Sequence, residues 1–445
     1  MKRLLSLVLC LLLLLPFAPA AAAEDGPKLF SLAVRVGESV TPVRAYECSY
    51  PGNVYLSLSD LSAALNGSAK QYSIQKTYSG GAEVFAIWTG EAAKAPSAAG
   101  EVSSLRPIAF DLPLKRSRIF FNNTDRRYYT FREGDELYMS LIDVQLMLNV
   151  PAAWDGGVLV FYPDESFHPD FDALKAAGYF DEIGSIVIGD IDTGRYLTNI
   201  RGSRSLPIAS LTKLMSYLLI AEAMEADGLS EQAPITISEN AAALSRSADG
   251  MVLLKAGKQV PLGELIDATM LASSNESCLA IAEALFGSEE AFVARMNERA
   301  QELMLRTANF YTCHGLPSYN EGTVVAKRQN HMSAIDLFRL TRFLVSEHPE
   351  IYSVTQQYYC SMPTLDYNSA NSNPLVFNLP GVNGLKTGST NRAGFCLVAT
   401  LPVTAGGETH TICLVLLGAE DPSLRGQAAE ILLRCAAEHY AQNGF

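Results

Sequence analysis

The chain has 445 residues, of which 48% are hydrophobic and 18% charged, with a formal net charge of −13. That length implies two or three domains with enough apolar material for a large core. The acidic balance repels a polyphosphate overall, which argues against a nucleic-acid partner.

The chain opens on Met1-Lys2-Arg3, an unbroken apolar run from Leu4 to Phe17 and a small-residue stretch from Ala18 to Ala23 before Glu24. A basic start, a short apolar run and small residues at a cleavage site predict a signal peptide over residues 1–23. The expected product is exported and extracytoplasmic, either secreted or held at its N-terminus if the leader stays. The run is short for a bilayer span, no later segment is long and apolar enough to cross, and no basic amphipathic tail follows Tyr440. Of eight cysteines, Cys10 leaves with the leader. The other seven (Cys48, Cys278, Cys313, Cys360, Cys396, Cys413 and Cys435) show no CxxC spacing. An odd count, with several in apolar runs, predicts buried thiols and at most one bridge. Six scattered histidines give no zinc or copper pattern, and no metal or other cofactor is expected.

Residues 24–170 read as a smaller, β-rich α+β domain. Alternating stretches such as Glu83–Trp88 and Gly157–Tyr162 stand between Gly, Asn and Asp turns. An internal repeat runs through it: Val54–Asn66 recurs as Leu137–Asn149, with Tyr, Ser, Leu, Asp, Leu and Asn coinciding. Each copy predicts a short strand, a serine start signal and a short helix. The repeat resembles the copper-amine-oxidase-like N-terminal module of exported bacterial wall proteins. Copper itself is not expected, because no histidine precedes His168. Spacer, wall contact and partner binding are the roles such a module implies, against a plain packing domain. Ala92–Val102, rich in Ala, Gly, Ser and Pro, predicts a mobile loop between the copies.

Residues 171–445 predict an α+β layout with one antiparallel sheet flanked by helices. Ser185–Asp190 and Arg195–Asn199 flank Asp192-Thr193-Gly194, a hairpin signal. After Ser210 a helix apolar on most faces follows, so it belongs in a domain centre. Helical stretches cover Leu262–Ala284 and Glu289–Met304, apolar strands cover Phe395–Thr400 and Thr411–Leu417, and Asp421-Pro422 caps a last helix to about Tyr440.

Three short blocks in this region carry chemistry. Ser210-Leu211-Thr212-Lys213 puts a hydroxyl and an amine one helical turn apart. A serine hydroxyl is a poor nucleophile until a base takes its proton. A lysine serves once its pKa falls through burial or a neighbouring cation such as Lys386. Ser273-Ser274-Asn275 interrupts an apolar helical pattern with polar groups. There Ser273 suits proton relay, and Asn275 suits holding an amide or orienting Lys213. Lys386-Thr387-Gly388, between Gly384 and Ser389 on a predicted edge strand, suits a terminal carboxylate, with glycine permitting close approach. Taken singly, each block has a structural explanation: a helix cap, a helix break, and a lysine guarding an edge.

The three blocks, their order and their surroundings resemble the serine D-Ala-D-Ala carboxypeptidases, the low-molecular-mass penicillin-binding proteins. Further matches are Thr307–Phe310 leading into His314-Gly315-Leu316-Pro317, His331–Asp336, and Asn371–Leu375 before Pro380–Lys386. The resemblance covers about Gly184 to Tyr440. It implies a β-lactamase/transpeptidase-like fold, catalytic Ser210, Lys213 and Ser273, and substrate contacts from Asn275, Lys386, Thr387, Gly388 and Ser389. By family pattern the oxyanion hole uses the backbone N–H groups of Ser210 and Ser389. The implied substrate is a peptidoglycan stem ending in D-Ala-D-Ala in the cell-wall space, with β-lactams as inhibitors. Two positions depart from the pattern. Ser274 stands where glycine is usual and is expected to narrow the pocket, and Thr312 replaces a common asparagine. The alternatives are a class A-like β-lactamase, which would need Ser-Asp-Asn and a separate glutamate, and a non-catalytic wall-binding or sensing protein.

Overall fold

A computed structural model describes residues 28–47, 54–93, 106–107, 116–176, 178–317 and 328–445. The predicted leader, Cys48 and the Ala92–Val102 loop from Lys94 onward lie outside the described residues. The chain divides into two compact units, with the boundary between Phe167 and His168.

The N-terminal unit is an eleven-stranded sheet built on the repeat. Strands Lys28–Val36, Ser39–Glu47 and Val54–Ser57 form an antiparallel meander, followed by the helix Leu58–Ala64 and the hairpin Tyr72–Ser79/Ala82–Thr89. The second copy repeats this order: Arg116–Phe121, Thr124–Glu133, Glu136–Ser140, the helix Leu141–Leu148, and the hairpin Ala152–Asp155/Val158–Phe161. The copies meet antiparallel, with Leu56 opposite its equivalent Met139, and Tyr55 and Ser57 opposite Ser140 and Tyr138. Each hairpin crosses to the other copy. Ala82–Thr89 pairs in parallel with Arg116–Phe121, and Val158–Phe161 with Lys28–Val36.

The repeated Ser and Asp have local causes. Ser57 Oγ accepts the Asp60 N–H and Ser140 Oγ the Asp143 N–H, capping the two helices. Asp60 then accepts the Arg44 N–H at 2.9 Å, and Asp143 the Tyr129 N–H at 2.6 Å. Each aspartate thereby ties its helix to the middle strand of its own meander. The repeated Leu58, Leu65 and Leu148 face one shared core with Leu32, Val34, Val43, Leu56 and Met139.

In the second unit five antiparallel strands lie in the order Arg195–Ile200, Ile183–Asp190, Glu408–Ala419, Gly394–Ala405, Gly384–Thr390. Side chains alternate between its faces. Val187, Val398, Cys413, Val415 and Leu417 join the helical core. The strands Gly394–Ala405 and Glu408–Ala419 are covered by the terminal helix Pro422–Asn443, which Asp421 caps through the N–H groups of Ser423 and Leu424. The helix Lys213–Asp227 is buried without a break from Lys213 to Ala221. This matches its all-round apolar sequence and sets it at the centre.

Two expectations change. The stretch Leu262–Ala284 is two helices, Leu262–Met270 and Asn275–Phe286, broken at Leu271–Ser274. Ser274 is the cause of the break: its Oγ accepts the Ser277 N–H at 3.0 Å, and it is wholly buried as the second helix's cap. It therefore turns into the helix start and does not narrow a pocket. Ser210 also precedes its helix, in a 3-10 turn over Ala209–Thr212. Among the described residues, six free cysteines are all buried.

Both tryptophans of the chain, Trp88 and Trp154, lie in the N-terminal unit, so their fluorescence reports its unfolding alone. Ser57→Ala and Ser140→Ala should each lower its stability in urea by about 1 kcal/mol. The second should cost more, because the Ser140 hydroxyl also donates to Asp143 at 3.0 Å.

Candidate active site

The geometry around Ser210 starts from a backbone fold that brings three segments together. Ala209 has a left-handed φ of +47°, which turns the chain out of Ser205–Pro207 into the 3-10 turn. Thr212 Oγ1 closes that turn on the Ala209 carbonyl at 2.7 Å. Gly315 packs against the same carbonyl so closely that a Cβ there would lie 2.1 Å from the oxygen. Asn330 joins the two segments, donating to Thr212 Oγ1 at 2.9 Å and to the Thr312 carbonyl at 2.8 Å. On the other side, a Cβ on Gly388 would come within 2.9 Å of the Ser210 nitrogen. Glycine in the third block is thus what lets the edge strand lie on the Ser210 backbone.

Lys213 is the focus of this arrangement. Its Nζ is 3.0 Å from Ser210 Oγ, 2.8 Å from Asn275 Oδ1 and 2.8 Å from the His314 carbonyl. The side chain has no solvent exposure. Burial pulls its pKa down to about 8, against the opposing pull of Cys278, Cys313 and Glu276. The two oxygens of Asn275 and His314 accept only. In a neutral amine they take both N–H bonds and leave the lone pair toward Ser210. The serine O–H then donates to nitrogen, which is the arrangement a general base requires.

Around this pair the three sequence blocks do converge. Asn275 is the first residue of its helix, and its Nδ2 donates to the Asp249 carbonyl at 3.1 Å. Its amide is therefore oriented with oxygen toward Lys213. Ser273 holds a left-handed φ of +62° in the helix break, half-buried, and its hydroxyl has no partner among the described residues. Lys386 is wholly buried and donates to the Thr387 carbonyl at 3.0 Å. Burial, then repulsion from Lys213 and Arg425, holds its pKa well below the usual lysine range. Thr387 Oγ1 meets Ser372 Oγ at 3.0 Å, and Ser389, next along the strand after Gly388, is exposed.

Sequence reasoning missed several contributors. Arg425, 8% exposed and one turn into the terminal helix, is a third buried cation close enough to bear on Lys386. Nothing in its apolar helical surroundings marked it. His314 acts through its carbonyl, so its side-chain type gave no signal. Burial and then Lys213 push the imidazole pKa to about 3, which keeps it neutral. Asn330, which joins the turns, lay just before a recognised segment.

Two groups of side chains have metal-ligand chemistry: Glu289 with Cys313 and His314, and Asp190 with Asp192 and His410. Internal hydrogen bonds account for both. His314 Nδ1 accepts the Leu316 N–H, so a neutral ring carries its proton on Nε2, the atom facing Glu289. Glu289 Oε1 already takes the Cys313 N–H at 2.9 Å. Asp190 uses both oxygens, on Asp192, Thr193 and His410.

The sequence profile of the D-alanyl-D-alanine carboxypeptidase family matches residues 181–421. The chain is 31% identical over 271 residues to D-alanyl-D-alanine carboxypeptidase DacF of Bacillus subtilis, covering 60% of this chain and 66% of that one. It is 30% identical over 261 residues to D-alanyl-D-alanine carboxypeptidase DacD of Escherichia coli, covering 58% and 63%. The match therefore spans less than two thirds of these relatives' own lengths. Among solved structures, penicillin binding protein 6B from Escherichia coli superposes with a TM-score of 0.50 at 29% identity, over 57% of this chain and 76% of that one.

Burial brings the Lys213 pKa down to about 8, and an amine accepts a proton only when neutral, which gives a definite sign. The rate at which an acylating reagent modifies Ser210 should rise with pH and level off above an inflection near 8. Lys213→Arg keeps a charge that does not dissociate in this range and should remove the inflection along with most of the rate, about 100-fold or more. Stopped-flow acylation across pH 6–10 measures both.

Proposed function

This chain belongs to the D-alanyl-D-alanine carboxypeptidase family, and from that premise we propose that it removes the terminal D-alanine from peptidoglycan stems ending in D-Ala-D-Ala. The observation that carries the reading is the single buried amine shared by Ser210 Oγ, Asn275 Oδ1 and the His314 carbonyl.

In this reading the stem's carboxylate lies against Thr387, in the positive field of Lys386 and Arg425. Neutral Lys213 takes the Ser210 proton as Oγ bonds to the penultimate carbonyl carbon. The oxyanion accepts from the N–H groups of Ser210 and Ser389, which the contact at Gly388 keeps close together. Losing one such donor typically raises the barrier by about 3 kcal/mol. The C–N bond then breaks, and Ser273 passes a proton from the Lys213 ammonium to the departing amine. A water hydrolyses the ester, with the same lysine accepting its proton. A β-lactam would acylate the same serine and persist, because its leaving group stays tethered.

The finer assignments form part of the same proposal. The N-terminal unit is read as a copper-amine-oxidase-like module without copper, a spacer or wall contact; its two-copy architecture supports the resemblance. The basic and apolar start supports export to the extracytoplasmic cell-wall space.

Release of free D-alanine from a pentapeptide, together with fluorescent penicillin labelling, tests the activity. Ser210→Ala should abolish both while leaving the thermal transition in place. Covalent labelling of that variant would refute the assignment. Ser273→Ala should slow D-alanine release by about 100-fold, the usual scale for a lost proton-transfer group. Rapid turnover of a chromogenic cephalosporin would point instead to a β-lactamase.

A further inference from the structure

Beside Asn275 stands a carboxylate that the chemistry above does not use. Glu276 is fully buried. Its Oε1 accepts the Met251 N–H at 2.9 Å and also the Val252 N–H, and its Oε2 is buried with no hydrogen-bond partner. The segment gripped in this way is the turn Ser247–Val252. Its Asp249 carbonyl receives Asn275 Nδ2 at 3.1 Å, and Asn275 Oδ1 in turn receives Lys213 Nζ at 2.8 Å. One side chain thus fixes the turn that fixes the amide that aims the lysine.

Charge points the same way. A carboxylate out of water needs compensation, and the buried cations of the region are Lys213, Lys386 and Arg425. We propose that Glu276 is a positioning residue for acylation of Ser210: it clamps the Ser247–Val252 turn onto Asn275 and is the fixed counter-charge for Lys213 when the lysine takes the serine proton. The proposal rests on the reading of Lys213 as the base.

The titratable groups facing Lys213 are Glu276 and Cys278 from the helix Asn275–Phe286, Cys313 and His314 from the adjoining turn, and Lys386 from the edge strand. Against burial, Cys278, Cys313 and then Glu276 raise the lysine's pKa, so removing the Glu276 charge lowers it.

The test separates charge from reach in the full-length chain. Glu276→Gln keeps an acceptor for the turn and loses the charge. The acid limb of Ser210 acylation by fluorescent penicillin should move to lower pH by about one pH unit, with a lower plateau. Glu276→Asp keeps the charge and shortens the side chain. Its limb should stay with the wild type, while the amides of Met251 and Val252 exchange hydrogen faster and the plateau falls about 10-fold. Should the Gln variant not fold, the exchange rates of the Asp variant still decide the clamp. A Gln limb coincident with wild type overturns the proposal, as do Asp-variant amides that exchange as slowly as wild type. So does a limb that moves in Cys278→Ala but not in Glu276→Gln, which would make the thiol the counter-charge. In each case an intact wild-type limb shows that the base reading survives. A wild type without any limb removes that reading itself.

Discussion

A lysine amine taken completely out of water is the constraint on which the second unit is arranged. Desolvation of an ammonium is costly, and a neutral amine still needs partners for its hydrogens. Asn275 Oδ1 and the His314 carbonyl supply them. Neither acceptor arrives by default: one requires a helix to stop and restart, the other a tight turn to press on Ala209. The left-handed Ala209 and Ser273, the bare Cα of Gly315 and the serine cap at Ser274 are local departures from regular structure. Each is explained by the need to surround one nitrogen.

The electrostatics of the cleft follow from the same burial. Burial holds both Lys386 and Arg425 below their ordinary ranges, and Lys213 and then Arg425 add repulsion at Lys386. Among the described residues of the second unit, the buried lysines and arginines are Lys213, Lys386 and Arg425. Glu276 is a fully buried carboxyl that bears on Lys213.

Much of this was legible in the sequence because the key groups are chemically distinctive and closely spaced. Ser210 with Lys213, and Asn275 with its serine neighbours, advertise themselves as polar residues inside apolar helical patterns. The sheet strands near Phe395 and Ile412, the hairpin at Asp192–Gly194 and the cap at Asp421 also follow from local pattern. What escaped was whatever acts through backbone or through distance. The His314 carbonyl belongs to no side-chain motif, Arg425 sits in an unremarkable helix, and the role of Gly388 depends on a strand contacting a turn far away in sequence. Ser274 departs from the family pattern for a local reason that sequence does not display: its hydroxyl is occupied at a helix start.

The N-terminal unit shows a further limit of local reading. Thirteen residues of similarity, Val54–Asn66 against Leu137–Asn149, stand for a correspondence that extends over five strands and a helix in each copy. Each copy's hairpin extends the other's meander through a parallel pairing, so the two copies form one continuous sheet. Half of it is not a smaller version of the whole. A fragment stopping between the copies would keep the pairing of its opening strand with Ser39–Glu47 but lose the parallel partner Val158–Phe161, and the Ala82–Thr89 edge of its own arm would go unpaired.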